Sequence, residues 1–254
     1  MEKTKERLTK KENKKEDTKN KFHIDLAEMA QAGLHFGHRS SNLHPKMKPY
    51  VFGVRNTIHI INLEKTKEEL EKALIFIQKL IAEDKILLLV GTKIQFKNII
   101  KEMGEDLNLP YITERWIGGT LTNFDVMKKR VAYLKELEQK ISNPEEIENY
   151  TKKERMEIEK KLRNLISKFG GVKNLERIPD AIFVTDLKKD CLAVKEAKQK
   201  GVTLIAIVDT NCDPDSVDYP IPANDDAISS VKYILEKMKE VILKAKPTST
   251  KLSE

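Results

Sequence analysis

Three short runs of uninterrupted apolar residues constrain the fold more than anything else in the chain: Ile86–Val90, Ala181–Val184 and Leu204–Val208. A strand with one wet face alternates apolar and polar residues, whereas a strand apolar at every position has both faces covered. Helical periodicity separates the runs. Between Glu64 and Glu83, Leu70, Ala73, Leu74, Ile77, Leu80 and Ile81 recur at helical spacing. Lys93–Met103 reads as a helix and Tyr111–Thr113 as a short strand. Cys191–Lys200 is a helix between the second and third runs, and Ala227–Ala245 is another after them. Strands alternating with helices predict a parallel sheet with helices on both faces. The expected body is an α/β fold, flavodoxin-like or Rossmann-like, over 22–124 and 170–246.

One stretch breaks the alternation. Met127, Val131, Leu134 and Ile141 are spaced four, three and seven, and Ile158, Leu162, Leu165 and Phe169 are spaced four, three and four. Both rows are heptad-like. Ser142-Asn143-Pro144 stops the first helix, and Thr151-Lys152-Lys153-Glu154 has the capping-box spacing that opens a second. The reading is an inserted α-helical coiled-coil hairpin over 125–169, projecting from the body because its outer faces are charged. An arm of about 18 residues spans roughly 27 Å.

Charge is segregated within the body. Met29 to Leu63 contains no Asp or Glu, although the chain has 40 acids. It holds Arg39, Lys46, Lys48 and Arg55, four of the five histidines, and the aromatics Phe36, Tyr50 and Phe52. Such a run can lie against phosphate without repulsion, so these four cations are candidates for contact with nucleic acid. A short helix over Ile24–Ala32 leads in, and Tyr50–Val54 and Thr57–Ile61 are strand-like about Arg55-Asn56. Further on, RWIGGTLTNF (115–124) offers Arg115 for bidentate phosphate contact and Gly118-Gly119 for close approach. Trp116 reads as packing at the joint of sheet and hairpin. Lys128, Lys129 and Arg130 follow at the root of the hairpin and complete the candidate set.

Gly201 to Val231 is the inverse: six aspartates and no Lys or Arg. RNA phosphate is expected to avoid it. Asp186 and Asp209 each follow a buried strand, so parallel strands bring them to one edge of the sheet. Two such carboxylates repel unless a cation lies between them. His38, a divalent ion, or a base from a partner protein are the sources considered. Asp186, Asp209 and His38 are therefore a candidate site for Mg²⁺ or Zn²⁺, against the plainer reading of solvated turn carboxylates. Val90-Gly91-Thr92-Lys93 sits at a strand end but lacks the spacing of a phosphate loop. No GxGxxG or GxSxG is present. A nucleotide-binding α/β enzyme holding Mg²⁺ through Asp186, Asp209 and Asp213 is the alternative to a non-enzymatic reading.

Four motifs stand in register along the chain: the run from Gly33 to Thr66, RWIGGTLTNF, IPDAIFVTD at 178–186, and VDTNCDPDSVDYPIPANDDAI at 208–228. Together they resemble the bacterial-type ribosomal protein S-two family of the small subunit, over roughly Ile24 to Lys246. The resemblance implies a structural protein between head and body of the small ribosomal subunit, on its solvent side. It also implies contact with small-subunit rRNA and neighbouring ribosomal proteins, and help in docking the large mRNA-binding ribosomal protein S-one. No required cofactor, no membrane contact and no homo-oligomer are expected with it. The implied location is a cytoplasmic ribosome, with an organellar one not excluded.

Net charge is +7. Residues 1–21 hold eight Lys and one Arg against five acids, which accounts for four of the seven. They read as a disordered charged tail, without the apolar core of a secretory signal. Residues 247–254 read as a C-terminal tail. Cys191 and Cys212 are far apart and read as unpaired thiols in a reducing compartment.

Overall fold

The structure is a computed structural model that describes residues 22–143 and 150–245. Both predicted tails and Pro144 lie outside the described residues. The three apolar runs become the centre of a five-stranded sheet: β4 (Leu87–Val90), β6 (Ala181–Val184) and β7 (Thr203–Val208). β5 (Tyr111–Ile112) and β8 (Tyr219–Pro222) form its edges. The order is β5-β4-β6-β7-β8, and every pair is parallel. This is the flavodoxin-like order, which reverses direction between β4 and β6. β8 has no strand signature in the sequence because Pro220 and Pro222 lack the N–H of a ladder donor. It survives because it pairs on one side only, with β7.

The alternation within each run assigns its faces. Leu87 and Leu89, Phe183, and Ile205 and Ile207 enter one core, with Leu74 and Ile77 of α2 (Leu63–Ala82), Ile100 of α3 (Lys97–Leu107) and Ile234 and Met238 of α7 (Ile228–Ala245). Leu88 and Val90, Ile182 and Val184, and Leu204 and Ala206 enter the other. There they meet Trp116, Met127, Phe169 and Ala193. Removing any of the Val, Leu, Ile, Phe or Met side chains among these from water is worth roughly 1.5–3 kcal/mol.

On that second side stand α4 (Phe124–Ser142), α5 (Lys152–Phe169) and α6 (Cys191–Lys200). The α4 seam buries Met127, Val131, Leu134 and also Leu137, which the sequence reading left out. Thr151 and Glu154 form the capping box that opens α5. Beyond α5 the chain turns close beneath the edge strand: a Cβ on Gly171 would lie 2.2 Å from the Tyr111 carbonyl oxygen, so only glycine fits.

The acid-free segment folds as a unit of its own. α1 (Leu26–Gln31) is capped by Asp25. After it come β1 (Phe36–Arg39), β2 (Val51–Arg55) and β3 (Ile58–Ile61), an antiparallel sheet in the order β1-β3-β2. The β2–β3 turn falls at Asn56-Thr57, one residue later than the sequence suggests. Both residues have positive φ, 48° and 66°, as a two-residue hairpin loop requires. β1 was not foreseen, because a register shift between Phe36 and Arg39 breaks its period of two. No helix among the described residues is long and apolar enough to cross a membrane.

Candidate nucleic-acid interface and the acidic edge behind it

The register of the small sheet brings two of the predicted cations together. Arg39 and Arg55 both stand opposite Ile58, from the two outer strands. Directly opposed residues share a face, so the two guanidinium groups flank one rung. Both are exposed, as is Lys48 in the turn before β2. None of the three has an ion-pair partner among the described residues.

Lys46 is different. Its ammonium lies 3.0 Å from Asp213 and 2.9 Å from Asp215. This hydrogen bond holds the Asp213 carboxyl below the usual range. The acid-free segment is therefore seated on the base-free one. A Cβ on Gly37 would lie 2.5 Å from the Thr210 methyl and 3.2 Å from the His59 carbonyl oxygen. The His38 N–H donates to Thr210 Oγ1 at 2.9 Å, and the His44 N–H donates to the Thr210 carbonyl at 2.8 Å.

Behind the small sheet lies the carboxyl edge of the large one, at its point of reversal. The cation that the aspartates there require is Lys93, in the strand-end motif set aside on sequence grounds. This corrects the search for a source in His38, a metal or a partner alone. Lys93 Nζ lies 2.8 Å from Asp186, 2.9 Å from Asp226 and 3.3 Å from Asp225. It also donates to the Asp225 carbonyl at 2.8 Å. The helix predicted from Lys93 starts later, as α3 at Lys97.

Burial alone would lower the Lys93 pKa, but the hydrogen bonds to Asp186 and Asp226 raise it above its ordinary value. Burial likewise opposes ionisation of Asp186. The Lys93 bond and the N–H groups of Lys189 and Lys188 overcome it, so this carboxyl sits below the usual range. Asp225 goes the other way. Burial, reinforced by the charge of Asp209, pushes it up to about 7, and its Oδ1 accepts no hydrogen bond.

His38 Nδ1 lies 3.0 Å from Asp209, and Nε2 lies 3.6 Å from Asp226. The Asp209 hydrogen bond raises the histidine pKa despite burial. Among the described residues, those whose ligand atoms all gather within 4.8 Å are His38, Asp225 and Asp226, not the trio named from the sequence. Asp213, engaged by Lys46, does not join Asp186 and Asp209, so the constellation of the alternative enzyme does not assemble.

The second predicted group lies elsewhere. Arg115 is exposed, and so are Lys128, Lys129 and Arg130 on the first turns of α4. Lys128 sits 5.1 Å above the Phe124 ring. No hydrogen bond or ion pair among the described residues links this group to Arg39 and Arg55. What fixes it is Glu196, which sequence reasoning missed. Its buried carboxylate accepts from Trp116 Nε1 at 3.2 Å and from the N–H groups of Gly119 at 2.8 Å, Leu121 at 2.9 Å and Thr122 at 3.2 Å. Burial opposes the charge, and these donors hold it below the usual range all the same. Glu196 is the one acid on α6, a helix whose other charged residues are all lysines. That was the available signal.

Comparison with known proteins agrees with the geometry. The family model described as Ribosomal protein S2 matches residues 29–245. The small ribosomal subunit protein uS2 of Coprothermobacter proteolyticus is 43% identical over 223 residues, 88% of this chain and 83% of that protein. The protein of the same name from Bifidobacterium longum is 44% identical over 219 residues, 86% of this chain and 78% of that protein.

Proposed function

The chain belongs to the ribosomal protein S2 family, and from that membership we propose that it binds small-subunit rRNA through the exposed cations of its N-terminal segment. Membership itself makes it a non-enzymatic structural constituent of the small ribosomal subunit in translation. The observation that carries the finer reading is the rung of Arg39 and Arg55, which face outward without a carboxylate while the acids of the neighbouring segment are tied down behind them. Arg115, Lys128, Lys129 and Arg130 are a second contact group. The body over 22–124 and 170–246 and the helical arm over 125–169 then act as two contact modules.

The acidic edge takes the other role, as the place where the mRNA-binding ribosomal protein S-one is helped to dock. Asp226 is held by Lys93 and His38 yet largely exposed, and is the carboxylate that a basic segment of that partner would reach. A divalent cation there is the remaining part of the reading. His38, Asp225 and Asp226 offer a ring nitrogen and two carboxylates, a set that suits zinc better than magnesium, which prefers oxygen ligands.

Sedimentation tests the main claim. The tagged chain should travel with small subunits at moderate salt, and Arg39→Gln with Lys48→Gln and Arg55→Gln should release it. Retention of that triple variant at the wild-type level would refute the contact. Asp226→Asn should weaken retention of the partner and leave rRNA binding intact, and equal retention would remove the docking role. Metal analysis of the purified chain should find zinc that Asp225→Asn loses. Metal-free protein of unchanged stability would end the cation reading.

A further inference from the structure

The outer face of α6, with the turn before it, shows charge of one sign only. From Lys188 to Lys200 the exposed residues are five lysines, Cys191, Leu192 and Gln199. The acids within four residues of any of these lysines are Asp186, Asp190 and Glu196, which are 5%, 2% and 5% exposed. All three are engaged inside the body. Asp186 meets Lys93 at 2.8 Å, and Asp190 accepts from the Thr92 hydroxyl at 2.8 Å. Glu196 holds the loop over 116–122. Lys200 is four residues from Glu196, the spacing of a helix pair, but that carboxylate is turned inward. None of the five lysines closes an ion pair among the described residues.

Three of them are best placed for a partner. At about 100° per residue Lys195 stands in the middle of the exposed arc of α6. Leu192 and Gln199 lie about 40–60° to one side of it, and Cys191 and Lys198 as far to the other. Lys188 and Lys189 occupy the turn before the helix. Their own N–H groups donate to Asp186 at 2.8 and 3.0 Å, so the turn is fixed before any partner arrives. Glu196 does the same beside the helix: its bonds to Trp116 and Gly119 tie the loop that follows the exposed Arg115 to α6. Lys198 and Lys200 are less suited to an anion. Lys198 borders a pocket with the exposed Asp215 and Asp218, and Lys200 lies about 140° round from Lys195.

We propose that Lys188, Lys189 and Lys195, flanked by Arg115, make a base-independent contact with the phosphate backbone of an RNA helix. The claim rests on the rRNA-binding reading above and extends the contact group of Arg115 across α6. Protein interfaces are depleted of lysine and built on aromatic, Met and Arg anchors. This face offers one half-exposed leucine, Leu192, and no aromatic ring. An unpaired RNA strand is held by stacking its bases on such rings, so the same lack disfavours it. Ammonium groups are point charges with rotatable donors, which meet phosphate oxygens without reading a base.

The test measures the affinity of the full-length chain against salt, for small-subunit rRNA and for a duplex of unrelated sequence, about two turns long. Lys188→Gln with Lys189→Gln and Lys195→Gln should flatten the rRNA slope by about three units. Lys188→Arg with Lys189→Arg and Lys195→Arg should keep it. The three sites are exposed, so neither variant should move the melting temperature. With Arg39→Gln and Arg55→Gln already in place the duplex should still bind, and adding the three Gln changes on α6 should weaken it by about tenfold or more. If the α6 Gln variant keeps the wild-type rRNA slope while Arg39→Gln with Arg55→Gln flattens it, the α6 surface is refuted and the rRNA reading stands. If neither changes the slope, both fail. An Arg variant as impaired as the Gln variant would show that charge is not what is read, and would overturn the proposal. A Gln variant that binds rRNA normally but is lost from subunits points to a protein partner and overturns it too.

Discussion

The acid-free segment 29–63 and the base-free segment 201–231 have opposite compositions, and each suggests a surface of one sign. In the fold they are pressed together. Lys46 sits between Asp213 and Asp215, His38 reaches Asp209 and Asp226, and Gly37 lies flat on Thr210. The lesson is that composition reports how much charge a segment has, and packing decides which of it remains available. Arg39 and Arg55 keep theirs without an ion pair among the described residues, and Lys46 does not. Glu196 supplies a third arrangement, a buried carboxylate satisfied by N–H donors with no ion pair among the described residues.

The largest effect should come from the cation that neither segment contains. Lys93→Met leaves Asp186 and Asp225 buried without a counter-charge, and should cost about 3 kcal/mol in chemical denaturation. A loss below about 1 kcal/mol would mean that the aspartates are neutralised some other way. Next is the seam itself. Gly37→Ala drives a methyl group into the buried Thr210 side chain and the His59 carbonyl, and about 2 kcal/mol of destabilisation is expected. A neutral result would show the two segments only loosely apposed.

Acid titration then separates the two kinds of buried carboxylate. The Glu196 pKa is depressed, so its contribution is complete above its ordinary 4.5 and is lost as pH falls through the lower folded value. Glu196→Gln should flatten the acid limb of the stability curve and loosen amide protection over Trp116–Thr122. An unchanged acid limb would show that the cradle holds no charge. The smallest effect belongs to Lys46→Gln. Its pair is at the surface, so the melting temperature should not move, and a clear drop would give the pair a structural role it lacks here.

The large sheet was legible because an uninterrupted apolar run such as Leu204–Val208 has no other common use in a chain with this helical spacing. β1 and β8 were not. In β1 a bulge cancels the period of two, and in β8 two prolines mimic a loop. At the candidate interface the sequence showed which cations stand in acid-free surroundings. It could not show that Lys46 meets acids more than 160 residues away, or that Lys93, in the loop after another strand, closes the acidic edge. Those pairings are set by the parallel crossovers, which no local pattern encodes. Glu196 escaped for the same reason: its donors come from a loop over 70 residues earlier.

The most direct test compares two exposed sites of the same segment. Affinity for small-subunit rRNA is measured against salt for Arg39→Gln with Arg55→Gln and, separately, for Lys46→Gln. The double arginine variant should lose about two units of slope, one for each phosphate contact, and the lysine variant none. Equal slopes for all three proteins, or a loss confined to Lys46→Gln, would contradict the account.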